Sequence, residues 1–351
     1  MMLATVRTIA LVFVASWGGM VLAASAPLTL DEALHLARSH SFEVTTAEAD
    51  VVAARRDLER VERDPLATGL ERIQVGHALE ASIETLAAAE RSLRVATLQR
   101  FAEVLEGAAA VRDARDQADV AVRTLAADRV RAEAGVITAL DLARSESDAE
   151  RAERTAREAA SDQAMRWSEL ALHLGVGVDT VRARGLAPII AEPPPLDDVD
   201  AVLERSAEPT GGVHRPASVA SAERALEIAR VQLAGIDHEA ASPNAVANAR
   251  DAVVAAERRL ADARAQFELQ LRSSHQAYAA ALGRLGDAVA NDANAATTLA
   301  AQRVRADAGE LAPLAQRQAE MERERSADAV RVARHAAWLA WWRVEQAAAG
   351  Q

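Results

Sequence analysis

The sequence predicts an all-α protein built from long antiparallel helical hairpins, written twice in tandem. Three observations predict it. Half of the residues are apolar, mostly alanine, and only 3% are aromatic, so area is buried by close helix–helix contact and not in one broad globular core. Only 16 glycines and 10 prolines punctuate 351 residues, and they cluster, which leaves long runs of Ala, Leu, Arg, Glu and Gln, the strong helix formers. Finally, "RVRAEAGVITAL" (Arg129–Leu140) returns 174 residues later as "RVRADAGELAPL" (Arg303–Leu314).

Residues 1–26 read as an export signal. Arg7 supplies the positive start, "IALVFVASWGGMVLAA" the apolar core, and "AASA" a small-residue cleavage site. With no cysteine in the chain, neither lipid attachment at the mature end nor a disulfide is expected. No later stretch is apolar enough to span a bilayer as a helix.

A first repeat is expected over 27–184. Its first short helix opens near Leu30, with Thr29 as N-cap and Glu32 in the first turn. A second runs from Phe42 to Arg63, and "DPLATG" (Asp64–Gly69) breaks the chain. From about Gly76 to Ala134 nothing interrupts a helix whose apolar positions follow 3–4 spacing, among them Leu79, Ile83, Leu86 and Leu93, then Phe101 and Val104. At 1.5 Å rise per residue this is a rod of roughly 80–90 Å. Gly135 ends it as a C-cap glycine, and a return helix runs from about Thr138 to "LHLG" (Leu172–Gly175).

A Pro-rich linker, 185–198, leads to a second repeat over 199–351. The plan recurs: a short helix near Val199, a break at "EPTGGVHRP" (Glu208–Pro216), and a helix from Ala217 to Ala234. The next long helix has Pro243 in its first turn and Ser242 as cap. It reaches Ala308–Gly309, and its return helix contains "WLAWW" (Trp338–Trp342). The register holds beyond the tips. At a spacing of 174, Leu125 falls on Leu299 and Trp167 on Trp341, and at 175 Ala47–Leu58 falls on Ala222–Leu233. Such a shared register over a long span is the mark of tandem duplication.

Formal net charge is −12 and every basic residue is arginine, always close to Asp or Glu, so no basic face for nucleic acid stands out. The chain has no Gly-rich phosphate loop, nucleophile elbow or metal-ligand spacing, so no catalytic, cofactor-binding or metal residue is predicted and the protein is not read as an enzyme. His35 and His40 read as surface residues at a helix end. Trp167 and Trp341 read first as core packing. Trp338, Trp341 and Trp342 have a second reading as aromatic anchors at a membrane surface.

The sequence resembles the TolC-type outer-membrane efflux proteins. The resemblance lies in the opening "LTLDEALHLARSHS", with "HRPAS" (His214–Ser218) in the corresponding stretch of the second half. It continues in "AEAD..AARRDL", in the paired "AG" tips with Thr138–Asp141 after the first, and in "W.ELALHLG" (Trp167–Gly175). It covers nearly the whole mature chain. It implies a homotrimer whose long helices form a tapered α-barrel, with the shorter helices as a belt. It implies glycine tips that dock on a periplasmic adaptor and an inner-membrane pump. By position the tips are Gly135, Val136 and Ile137, then Gly309, Glu310 and Leu311, and Asp141 matches an aspartate that holds the closed state. The location implied is the periplasm or the outer membrane.

Two departures stand out. Family members insert a β-hairpin after the second helix of each half, whereas here those places hold only "DPLATGLERIQVG" (Asp64–Gly76) and "GIDHEAASPN" (Gly235–Asn244). A membrane strand needs about 9–11 alternating residues, and neither insert supplies two strands. The protomer is therefore expected to lack transmembrane β-strands and to associate with the outer membrane peripherally. The second tip also has Ala315 and Gln318 where an acidic constriction is expected. Two functions fit: an oligomeric helical duct for efflux or secretion, and a periplasmic coiled-coil spacer or adaptor with no lumen.

Overall fold

The computed structural model describes residues 26–195, 198–201, 203, 216–236 and 242–348. The expected export signal, Ala26 apart, and most of the expected break at Glu208–Pro216 lie outside the described residues. The helices are α1 (Leu30–His40), α2 (Phe42–Arg63), α3 (Gly69–Glu133), α4 (Ala139–Leu174), α5 (Val178–Arg184), α6 (Ala217–Ala234), α7 (Pro243–Asp307) and α8 (Pro313–Ala348). Helical residues also occur at 199–201 and 203, where a short helix was expected. Among the described residues the β structure is one isolated parallel bridge, Leu28 to Leu186. No described helix is long and apolar enough to cross a membrane.

The helix starts follow from side-chain caps. The hydroxyls of Thr29, Ser41, Thr68, Thr138 and Ser242 each accept a backbone N–H in the first turn that follows. Thr68 corrects the sequence reading of α3, which begins at Gly69 and not near Gly76. Gly76 lies inside the helix, where a glycine costs about 1 kcal/mol relative to alanine, too little to break a rod packed on its neighbours. With 65 residues each, α3 and α7 extend about 98 Å.

The two halves match in detail. Displaced by 174, Gly69–Glu133 becomes Pro243–Asp307 and Ala139–Leu174 becomes Pro313–Ala348, the bounds of α7 and α8. Displaced by 175, Phe42 becomes Ala217, the first residue of α6. Buried positions match too: Thr97 with Leu271, Val104 with Tyr278, and Leu170 with Val344.

Lateral packing follows from these lengths. α3 pairs with α4, and α7 with α8, while α8 also packs along α3, so the helices order as α4, α3, α8, α7 in one layer. Where α4 and α8 stop, α2 continues beside α3, and α6 continues beside α7 and α3. One core gathers Phe101, Val104, Leu170 and Leu174 with Ala33 and Ala37 of α1, and Trp167 packs against it. A second gathers Leu271, Tyr278, Leu285 and Val344, with Trp341 against it, and a smaller third joins Leu226 and Ala229 of α6 to Ala256 of α7. Full burial of side chains of this size contributes about 1.5–3 kcal/mol each. Alanines in these clusters let the backbones approach. At Gly107 the α4 side chains Gln163 and Arg166 fill the space a Cβ would need, with Gln163 Oε1 2.0 Å from its position.

One buried polar pair links α3 to α4. The Thr97 hydroxyl donates to the Leu93 carbonyl at 2.7 Å and lies 2.8 Å from His173 Nε2. Burial, then the nearby Arg100 and His40, holds His173 below its ordinary value and so favours the neutral ring. Gly175 caps α4 at φ 67, and the His40 ring occupies the space a Cβ would need.

The linker is tied down along its described length. Leu28 N–H donates to Gly185 and Ala187 N–H donates to Leu28, both at 2.9 Å. Trp338 Nε1 donates to the Ala191 carbonyl at 2.9 Å, Arg334 pairs with Glu192 at 3.0 Å, and the buried Tyr278 hydroxyl donates to the Pro194 carbonyl. Tyr278→Phe removes that last bond and leaves the core ring in place. It is expected to cost about 1 kcal/mol in urea unfolding and to speed proteolysis at 191–195. An unchanged midpoint and cleavage rate would show that the bond holds nothing.

Candidate docking tips and assembly edges

Both hairpin tips lie at one end of the layer, because α3 is antiparallel to α8 and α8 to α7. At the first tip Gly135 has φ 70, Val136 N–H donates to Arg131 at 2.8 Å, and Gly135 N–H donates to Ala132 at 3.0 Å. At the second, Gly309 has φ 75, Glu310 N–H donates to Arg305 and Gly309 N–H to Ala306, both at 2.9 Å. Both are Schellman closures, which satisfy the last carbonyls of a helix through a left-handed residue. The same backbone device therefore reverses the chain twice.

The tips differ in their side chains. On the first, Val136 is 71% exposed and Leu140 62%, with Ile137 partly covered. On the second, Glu310 is exposed, Leu311 is partly covered, and Arg305 stands 3.9 Å from the Glu310 carboxylate. Asp141 is engaged by its own helix end: it accepts from Thr138 N–H at 3.2 Å and from the Thr138 hydroxyl at 2.6 Å. Those bonds, the hydroxyl first, hold its carboxyl below the ordinary aspartate range. The second tip has Ala312 and Ala315 at the matching positions and starts α8 with Pro313.

Trp338, Trp341 and Trp342 sit far from both ends of the layer. Arg94 stacks over Trp342 at 5.7 Å, and Arg94 is 25 residues along α3 from Gly69, about 38 Å from the connection end. Trp341 meets Trp338 at 5.4 Å and Trp342 at 4.7 Å, edge to face. With Trp338 bonded to the linker, Trp341 against the core and Trp342 under Arg94 of α3, the rings join the linker to the long helices.

At the end opposite the tips, α2 and α3 are joined by 64–68 and α6 and α7 by 235–242. The first connection is closed by an Asx turn, with Leu66 N–H donating to Asp64 at 2.9 Å, and by the Thr68 cap. Five and eight residues cannot hold two membrane-spanning strands.

Sequence reasoning did not anticipate the seam between the hairpins. Asp113 pairs with Arg325 at 2.6 Å, Asp116 with Arg317 at 2.7 Å, and Glu106 with His335 Nδ1 at 3.1 Å. Further along, Arg224 of α6 grips Glu84 of α3 through both oxygens at 2.6 and 2.8 Å, and this bidentate contact raises the guanidinium's affinity for its proton. The outer sides of α4 and α7 have no such cover among the described helices: Met165 is 58% exposed, Leu172 77%, Leu269 71% and Val304 68%.

No family model matches the sequence, and no curated protein matches it. Solved structures do. The chain is similar to the outer-membrane channel CmeC of Campylobacter jejuni, at 12% identity and TM-score 0.63 over 92% of this chain and 85% of that one. It is similar to the outer-membrane channel OprN at 16% and 0.63, over 92% and 90%. It is similar to the outer membrane protein VceC of Vibrio cholerae at 15% and 0.58, over 92% and 96%. The fold is the helical part of a TolC-type outer-membrane channel. Within that fold the tips, the short connections and the uncovered edges are the surfaces that the chain's own packing leaves unused.

Two measurements check the tips. A Cβ at Gly135 or Gly309 meets nothing within 4 Å, so any cost of Gly→Ala comes from the backbone angle alone and is expected to be about 1–2 kcal/mol per site in urea unfolding. No loss at either site would mean the left-handed turns are not required. Because the folded Asp141 carboxyl ionises more readily than the unfolded one, its stabilisation is present above the unfolded value and is lost as pH falls through the folded value. Hydrogen-exchange protection in residues 139–142 is therefore expected to drop on acidification in the wild type. It should drop less in Asp141→Asn and at the matching turn, 313–316; equal behaviour of all three would contradict the capping account.

Proposed function

We propose that the mature chain is one protomer of a homotrimeric ring whose helical layers close side by side into a hollow duct in the periplasm, for efflux or secretion. The observation that carries this reading is the four-helix layer with two uncovered edges on different helices, α4 on one side and α7 on the other. Unlike edges join copies head to tail, and such contacts make a ring when the rotation closes. The likeness in fold to outer-membrane channels supports the same reading, and the matched helix bounds support duplication of one unit into 27–184 and 199–351 around the 185–198 linker. The protein acts as a conduit and not as an enzyme.

In this reading the tips, Gly135–Ile137 and Gly309–Leu311, meet a periplasmic adaptor and through it an inner-membrane pump. Asp141 contributes one carboxylate per protomer at that end and is the gate candidate. Export follows from residues 1–26. At the other end the connections are too short for strands, so the ring meets the outer membrane from its periplasmic side as a peripheral assembly.

Deleting the gene is expected to raise cellular accumulation of a fluorescent efflux dye or to change the set of secreted proteins. The wild-type chain restores the phenotype, and Val136→Asp/Ile137→Asp, which alters only the first tip, does not. Unchanged dye levels together with an unchanged secreted set would contradict the export role.

A further inference from the structure

The internal seam between α3 and α8 has an unoccupied counterpart on the outside of the same chain. Displaced by 174, the α3 positions that face α8 fall on α7, and the α8 positions that face α3 fall on α4. The first set is covered and the second is bare: Ala102 and Ala109 are 2% and 9% exposed, whereas Gln276 and Gly283 are exposed. On the other side of the seam, His335 is 3% exposed and its counterpart Ser161 is exposed.

The seam contacts are replaced in pairs. Asp116 and Arg317, an ion pair inside the chain, correspond to Ala290 and Ala143, so both charges are gone together. Glu106 and His335 correspond to Ala280 and Ser161, again both small. Asp113 and Arg325 correspond to Asp287 and Arg151, so both charges are kept. Where Asp328 becomes Arg154, the opposing Arg112 becomes Gly286, which avoids a like-charge pair. Positions that never touch within one chain have changed as though they touch.

We propose that α7 of one copy packs along α4 of the next in the register of the α3–α8 seam, with Asp287 paired to Arg151 of the neighbouring copy and small residues opposed on either side of that pair. The occupant of both bare edges is thus a second copy of this chain. The inference rests on the reading of the chain as a ring protomer and adds the register and the pairing to it. In the single chain, Asp287 has no ion pair among the described residues, and Arg151 pairs with Asp148 on its own helix at 3.2 Å. A contact between copies gives the exposed carboxylate a partner and replaces that i,i+3 pairing.

Charge reversal tests the pair. Asp287→Arg and Arg151→Asp are each expected to weaken assembly about tenfold by sedimentation, and the double variant to restore it to near wild type. Far-UV circular dichroism of each variant confirms that the helices remain. Register is read separately. Because the chain has no cysteine, Asp287→Cys/Arg151→Cys treated with a short bismaleimide can cross-link only at the introduced sites, and linkage between copies is expected. Asp287→Cys/Ser168→Cys, several turns out of register, is expected to stay unlinked. Assembly that ignores charge reversal, a double variant no better than the singles, or linkage through 168 in place of 151 would overturn this pairing and leave the ring standing. A wild type that never assembles would overturn the ring itself.

Discussion

A helix about 98 Å long cannot fold back over its own apolar face. Everything else in this structure answers that constraint. Each long helix must find other long helices along its whole length, and because α4 and α8 are only 36 residues, no single return helix suffices. The remaining length is covered by α2 and α6, which makes the shorter helices structural requirements and not appendages. Alanine is the residue that makes the solution work: it brings backbones close without demanding a wide core, and two modest clusters around Phe101 and Tyr278 are enough to lock the middle.

The ends are handled locally and the sides are not. Both tips close by the same backbone geometry, and five helix starts are satisfied by hydroxyl caps. Charged pairs do the same for the seam between the hairpins. The outer flanks of α4 and α7 differ, since they are built on the same positions as that seam and have nothing opposite. Two uncovered sides are what the proposed ring requires of its protomer.

Much of this was legible in the sequence because it depends on spacing. The long helices, the glycine turns and the 174-residue displacement are local or periodic signals, and their predicted bounds survive almost unchanged. The start of α3 was misplaced by seven residues because Gly69 and Gly76 read as breakers, while the decisive signal was the Thr68 hydroxyl. Other features depend on partners far away in the chain. Trp338 was recognisable as unusual, but its bond to Ala191 joins residues 147 apart. The pairing of Asp113 with Arg325 spans 212 residues and has no local signature at all. The tip residues were placed by resemblance, and their geometry explains how the turn is held.

The central claim is that bare flanks close on copies of the same chain around an open centre. End-on electron-microscope averages of the protein, purified from residue 27 onward, test it most directly. The account predicts a ring with threefold symmetry and a solvent-filled middle. A solid two-chain rod, or isolated hairpins at every concentration, would contradict it.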